Sequence, residues 1–167
     1  MGAMEDRARF EQLYDEQYDR CTRLALRIVH DRAIAEELAS EAFARAWARW
    51  RRLGRDPRAA GWVLRVTTNL AIDVTRRRLA VPQPAPDLSP ADHATVRVAL
   101  VQALQTLPRR QREAIALRYL ADLSEADVSA ALGVSAGSVK THLHRGLARL
   151  RDSMGTDDEE VRLVPGS

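Results

Sequence analysis

The chain has 167 residues, room for one ordinary domain or two small ones. Its composition is 46% hydrophobic but only 5% aromatic, and the apolar share leans on alanine, which supports a packed core made of helices and excludes a natively unfolded chain. The net charge is +3, and the single cysteine, Cys21, excludes an internal disulfide or a cysteine-rich zinc cluster.

No apolar run is long enough to span a membrane and no signal peptide is evident, so the sequence reads as cytoplasmic, without membrane insertion. Lys140 is the only lysine; the remaining bases are arginines, whose rigid fork of donors suits phosphates and guanine edges, although such a bias also arises from genome composition. Met4 offers an alternative start, so Met1–Ala3 carry no argument.

The first predicted helix carries Phe10, Leu13, Tyr14, Cys21, Leu24, Ala25 and Ile28 at three- and four-residue steps, which places Cys21 on the buried stripe as an inert thiol. A second opens with Asp31 as N-cap and sets Ile34, Leu38, Ala42, Phe43, Ala46 and Trp50 on one side. Glu37, Glu41 and Arg45 repeat on another side, as solvated i,i+4 pairs would. Between the second and third helices the basic stretch from Arg52 to Arg58, with Arg55 at its centre, reads as a non-helical loop. The third helix is marked by Trp62, Leu64, Val66, Leu70, Ile72 and Val74 and closes on Arg76, Arg77 and Arg78, cations that suit a helix C-terminus. Trp47, Trp50 and Trp62 are expected in the core.

From Val81 to Pro90 the texture changes to VPQPAPDLSP, whose four prolines exclude regular helix and mark a linker. Beyond it, Val98, Val101, Leu104 and Leu107 mark a helix stopped by Pro108, and Ile115, Ala116, Leu117 and Leu120 mark the next. Ser124 and Asp127 then form a capping pair for a short helix bearing Val128, Ala131 and Leu132. Gly133 supplies a sharp turn, and Ser135 caps a last helix whose inner face is Val139, Leu143, Leu147 and Leu150. The acidic end, including Asp157–Glu160, reads as frayed.

A short helix, a glycine turn and a serine-capped second helix make a helix-turn-helix pattern. With Val139, Leu143 and Leu147 inward, Ser138, Lys140, Thr141, His144 and Arg145 must face solvent, and from Ala136 to Arg151 there are four fixed positive charges and no acid. Such a face fits a major groove, where Lys and Arg reach guanine acceptors and phosphates and Thr meets a thymine methyl. The same spacing also occurs in ordinary helical bundles.

The run Leu107–Glu113, Leu117–Leu120, Leu132-Gly133 and Ser138–Arg145 resembles the C-terminal region of extracytoplasmic-function sigma factors of the sigma-70 family. Ala35–Leu38 with Glu41–Trp47 is similar to that family's segment for docking on core RNA polymerase, and Trp62–Val66, Asn69–Asp73 and Arg76–Arg78 to its −10 recognition and melting segment. The departures are small: Glu37, Ser40, Thr67, Ser138 and Gly146 stand where the family more often has Asp, Gln, Ala, Thr and Ala. A glycine within a helix costs about 1 kcal/mol relative to alanine, which predicts a softer helix at Gly146.

The resemblance implies an all-α fold of two small helical domains joined by a proline-rich linker, the C-terminal one a helix-turn-helix. It implies a polymerase-docking and −10 domain over 8–80, a linker over 81–95, a −35 domain over 96–153 and a disordered acidic tail over 154–167. It assigns −35 contacts to Ser138, Lys140, Thr141, His144 and Arg145, and −10 reading and melting to Arg52, Arg55, Arg58, Asn69, Asp73, Arg76 and Arg77. Docking falls to Glu37, Ser40, Glu41 and Arg45. Promoter DNA, core RNA polymerase and an anti-sigma factor are the partners it implies.

No nucleophile–base pair, phosphate loop or metal-ligand cluster is apparent, so neither an enzyme nor a cofactor is expected. A stand-alone helix-turn-helix regulator remains the alternative, since it explains the C-terminal half equally well.

Overall fold

A computed structural model describes the backbone of residues 2–80 and 91–155, and the side chains of residues 3–78 and 99–155. The proline-rich linker and most of the acidic tail read from the sequence lie outside the described residues.

Among those residues every regular element is helical: α1 (Gly2–Val29), α2 (Arg32–Ala48), α3 (Trp50–Leu53), α4 (Ala59–Ala80), α5 (Ala91–Thr106), α6 (Arg109–Ile115), a π-helical turn (Ala116–Leu120), α7 (Glu125–Leu132) and α8 (Ala136–Met154). In the N-terminal half α1, α2 and α4 pack on one another. Leu13, Cys21, Leu24, Ala25 and Ile28 of α1 are buried, as the stripe predicts, together with Leu38, Ala42, Phe43 and Ala46 of α2. Asp31 caps α2 by accepting from the Ile34 amide at 3.2 Å.

Three expectations need correction here. The buried face of α4 is Val63, Leu64, Thr67, Thr68, Ala71 and Ile72, while Trp62, Leu70 and Val74 are half-buried. Thr67 and Thr68 enter the core because each hydroxyl donates to the carbonyl one turn back, Val63 at 2.8 Å and Leu64 at 2.9 Å, so no polar atom is stranded. Arg52 belongs to the one-turn helix α3, which leaves only 54–58 outside regular helix. Trp47 is 51% exposed rather than a core residue, whereas Trp50 is buried and donates its indole N–H to the Asp6 carbonyl at 2.7 Å.

In the C-terminal half α6 and α7 pack against α8, and α5 closes over α8 and α4. Helix α5 begins at Ala91, five residues before the expected domain start at 96; the stretch it adds contains no proline and begins directly after Pro90. Ser124 caps α7 by accepting from the Asp127 amide at 3.1 Å, and Gly133 turns the chain at φ 66°. Ser135 caps α8 by accepting from the Ser138 amide, also at 3.1 Å. Gly146 is a point of close packing on α8. A Cβ there would lie 2.5 Å from Ile115 Cδ1 and 3.3 Å from Gln111 Cβ, so the missing methyl group lets α6 lie against α8.

The two halves touch along α4, whose outer side meets α5 and α7. At Gly61 a Cβ would fall 2.4 Å from the Ala131 Cα, closer than any real side chain allows. Arg27 of α1 donates to the Leu120 carbonyl at 2.7 Å at the other end of this seam. That carbonyl belongs to the π-helical turn, where the Ala121 amide reaches back to Ala116.

Candidate nucleic-acid interface

Helix α8 offers the clearest surface. Val139, Leu143 and Leu150 are buried, and on the opposite side Lys140, Thr141, His144 and Arg145 are exposed, with Ser138 half-exposed at the leading end. Ser138 sits beside the cap, its hydroxyl 2.9 Å from that of Ser135, and Thr141 donates back to the Gly137 carbonyl at 3.0 Å. Lys140 and Arg145 make no ion pair among the described residues, and Arg149 and Arg151 continue the exposed basic face. The helix therefore presents an acid-free row of donors on a rigid support, which suits phosphates and purine acceptors.

A second set of candidates gathers around α4 and the loop before it. Arg52, Arg55, Arg58, Arg76 and Arg77 are exposed, and Asp73 is half-buried with Arg76 at 3.8 Å. Arg58 forms a fork on Asp56, Nε to Oδ1 at 3.0 Å and Nη2 to Oδ2 at 3.1 Å, and these hydrogen bonds hold the Asp56 carboxyl below its ordinary range. The same guanidinium lies over the helix-turn-helix turn: a Cβ at Gly133 would be 2.6 Å from Arg58 Nη1.

Asn69 differs from the solvent-facing reader that the sequence suggests. It is half-buried and donates its side-chain amide to Glu113 Oε1 at 3.0 Å, while its own Oδ1 is buried with no donor among the described residues. Glu113 was not foreseen. It is fully buried, yet Arg109 Nε at 2.9 Å and Arg110 Nη1 at 3.4 Å bind it from one turn back on α6. The only signal in the sequence is a carboxylate placed four and three residues after two arginines, which predicts pairing but not burial. Nearby, burial lowers the Arg65 guanidinium from its ordinary value and the Glu113 charge opposes that shift.

The third set lies along α2. Glu37, Ser40, Glu41 and Arg45 are all exposed. Arg45 pairs with Glu41 at 2.7 Å, and Ser40 donates to the Glu36 carbonyl at 2.8 Å within reach of the Tyr18 hydroxyl at 3.2 Å. Exposed Trp47 stands at the end of this strip, its ring edge-on to Phe10 at 4.8 Å. Aromatic residues are enriched at protein interfaces, and the exposure of this ring departs from the core position expected from the sequence.

Among the described residues no group of His, Cys, Asp and Glu could hold a metal ion, and no helix is long and apolar enough to cross a membrane.

Comparison with known proteins agrees with this arrangement. Residues 13–80 match the family model for sigma-70 region 2, and residues 97–150 the model for sigma-70 region 4. The chain is 35% identical to the RNA polymerase sigma-E factor of Streptomyces coelicolor over 161 residues, covering 93% of this chain and 91% of that protein. It is 32% identical to the ECF RNA polymerase sigma factor SigE of Mycolicibacterium smegmatis over 165 residues, 91% of this chain and 64% of the relative. In fold it is similar to the sigma factor RpoE in complex with the anti-sigma factor NepR from Bartonella quintana. The TM-score there is 0.52 at 22% identity, covering 89% of this chain and 98% of that one. A stand-alone helix-turn-helix regulator would account for 97–150 but not for the match over 13–80.

Proposed function

Because this chain belongs to the sigma-70 family, extracytoplasmic-function type, and directs promoter-specific transcription initiation, we propose a division of labour between its two halves. The C-terminal helix-turn-helix grips the duplex −35 element through Ser138, Lys140, Thr141, His144 and Arg145. The N-terminal half reads and opens the −10 element through Asn69, Asp73, Arg76 and Arg77, with Arg52, Arg55 and Arg58 receiving an unstacked base. Extruding one base costs a few kcal/mol, which contacts of this kind must offset. Glu37, Ser40, Glu41 and Arg45 dock the chain on core RNA polymerase, and exposed Trp47 extends that strip. The polymerase performs the chemistry, in the cytoplasm, and an anti-sigma factor is the partner expected to restrain the free chain.

The observation that carries this reading is the exposed basic face of α8, free of acids from Ala136 to Arg151 and set on a helix capped by Ser135. A hydroxyl-radical source tethered at Arg151→Cys should cut promoter DNA near −35 in the holoenzyme, and one tethered at Pro57→Cys should cut near −10. Buried Cys21 leaves such labelling specific. Exchanged patterns, or cleavage at neither element, would overturn the division.

A further inference from the structure

The last third of α1 carries positive charge that the fold leaves unneutralised. From Arg20 to Val29 the helix holds Arg20, Arg23 and Arg27 and no acid. None of the three makes an ion pair among the described residues, although the preceding turns of the same helix are rich in carboxylates. Like charges three and four residues apart on a helix repel, so the arrangement costs stability unless an anion joins it. The negative end of the helix offsets Arg27, which lies in its last turn, but Arg20 and Arg23 lie further back.

The three arginines line one cavity of about 230 Å³, together with buried Leu24 and, on the far wall, Leu120, Ala121 and Asp122. Arg27 is fixed there, because its Nη1 donates to the Leu120 carbonyl at 2.7 Å. Asp122 is the one acid of this lining; it is exposed and holds a left-handed backbone at φ 55°. Three arginines against one aspartate leave the cavity a net positive charge, and guanidinium forks suit the paired phosphates of a diphosphate. Arg20 also lines a second cavity, of about 180 Å³, with Gln17, Leu64, Leu123 and Asp127. Gln17 keeps a buried Oε1 with no donor among the described residues, a loss that an incoming donor would repair. A side-chain amide offers one donor and one acceptor to an adenine edge, so Gln17 can pair with adenine. Gln17 and Arg23 stand six residues apart, about 9 Å along the helix axis, a gap that a ribose between base and phosphates fills.

We propose that the crevice between α1 and the segment 120–127 is a binding site for an adenine nucleoside diphosphate, its phosphates held by Arg20, Arg23 and Arg27 and its base by Gln17. None of these four residues is assigned above to promoter DNA or to core polymerase. The crevice has one wall from each half of the chain, so a bound nucleotide adds its binding free energy to the stability of the folded molecule.

The test titrates the full chain with ADP, inorganic pyrophosphate and adenosine, at fixed ionic strength and without magnesium, by calorimetry and by thermal unfolding. ADP should bind one to one and raise the unfolding midpoint, pyrophosphate should bind more weakly, and adenosine should show no heat of binding. Arg23→Gln, at an exposed position, should weaken both ADP and pyrophosphate by about tenfold or more. Gln17→Leu should weaken ADP and leave pyrophosphate unchanged, a split that a misfolded variant would not show. A wild-type chain that binds neither ADP nor pyrophosphate would overturn the proposal. So would binding that survives the Arg20→Gln, Arg23→Gln double variant and disappears in Arg145→Ala, since the anion would then sit on α8. Equal loss of both ligands in Gln17→Leu would overturn the placing of the base.

Discussion

At the scale of single residues, charge and burial set the expectations. Lys140 and Arg145 are exposed on α8, with no acid on that helix from Ala136 to Arg151. Replacing either by alanine should weaken promoter binding by about 1–3 kcal/mol where a bidentate base contact is lost, measured by titration against a promoter the holoenzyme uses. Cys21 behaves in the opposite way. Burial pushes its thiol up to about 11, with a hydrogen bond from Thr67 only partly opposing. In the unfolded chain the thiol ionises near its ordinary value of about 8.5, so the buried form adds no pH dependence below that point. Above it the unfolded chain loses its proton first, and stability should fall as pH rises towards about 11, by on the order of 2–3 kcal/mol. Chemical denaturation at pH 8 and at pH 10.5 would reveal this fall, and Cys21→Ala should lack it. The native thiol should also resist Ellman's reagent at pH 8.

At the scale of elements, the strip on α2 separates function from stability. Glu37 and Glu41 are exposed, and the Glu41–Arg45 pair is a half-exposed surface bridge worth little to the fold. Reversing both charges should therefore reduce association with core RNA polymerase in a direct competition assay and leave the helical circular dichroism and the unfolding midpoint nearly unchanged. Equal competition by the wild type and the reversed variant would return these residues to an ordinary solvated face. The capping pattern of this element and of α7 and α8 was legible in advance, because Asp31, Ser124 and Ser135 each act on the amide three residues on. The π-helical turn at Ala116–Leu120 was not, since its widened spacing depends on what packs around it rather than on the residues within it.

At the scale of the whole molecule, the proposed division of labour separates promoter binding from promoter opening. Holoenzyme carrying Asn69→Ala should bind closed duplex nearly as well as the wild type but open it less, seen as reduced permanganate reactivity of −10 thymines. Equal opening would remove Asn69 from the melting site. If the α8 face grips the −35 element as proposed, its binding should also weaken steeply with salt, through release of counterions from the phosphates it neutralises.

Periodicity and end signals in the sequence determined the helical class, the order of the helices, the caps, the glycine turn and the two-part organisation. All of these depend on residues within a turn or two of one another, so the chain carries them locally. The exposed face of α8 was legible for the same reason, since fixing Val139, Leu143 and Leu150 inward fixes Lys140, Thr141, His144 and Arg145 outward. Tertiary structure alone decided which side of α4 is buried, that Trp47 faces solvent, and that Gly146 is a point of close packing. It alone also brought Asn69 to Glu113 and Gly61 to Ala131, pairs separated by 44 and by 70 residues of chain. Such contacts depend on the approach of two helix surfaces in space, and no local spacing encodes how closely those surfaces meet.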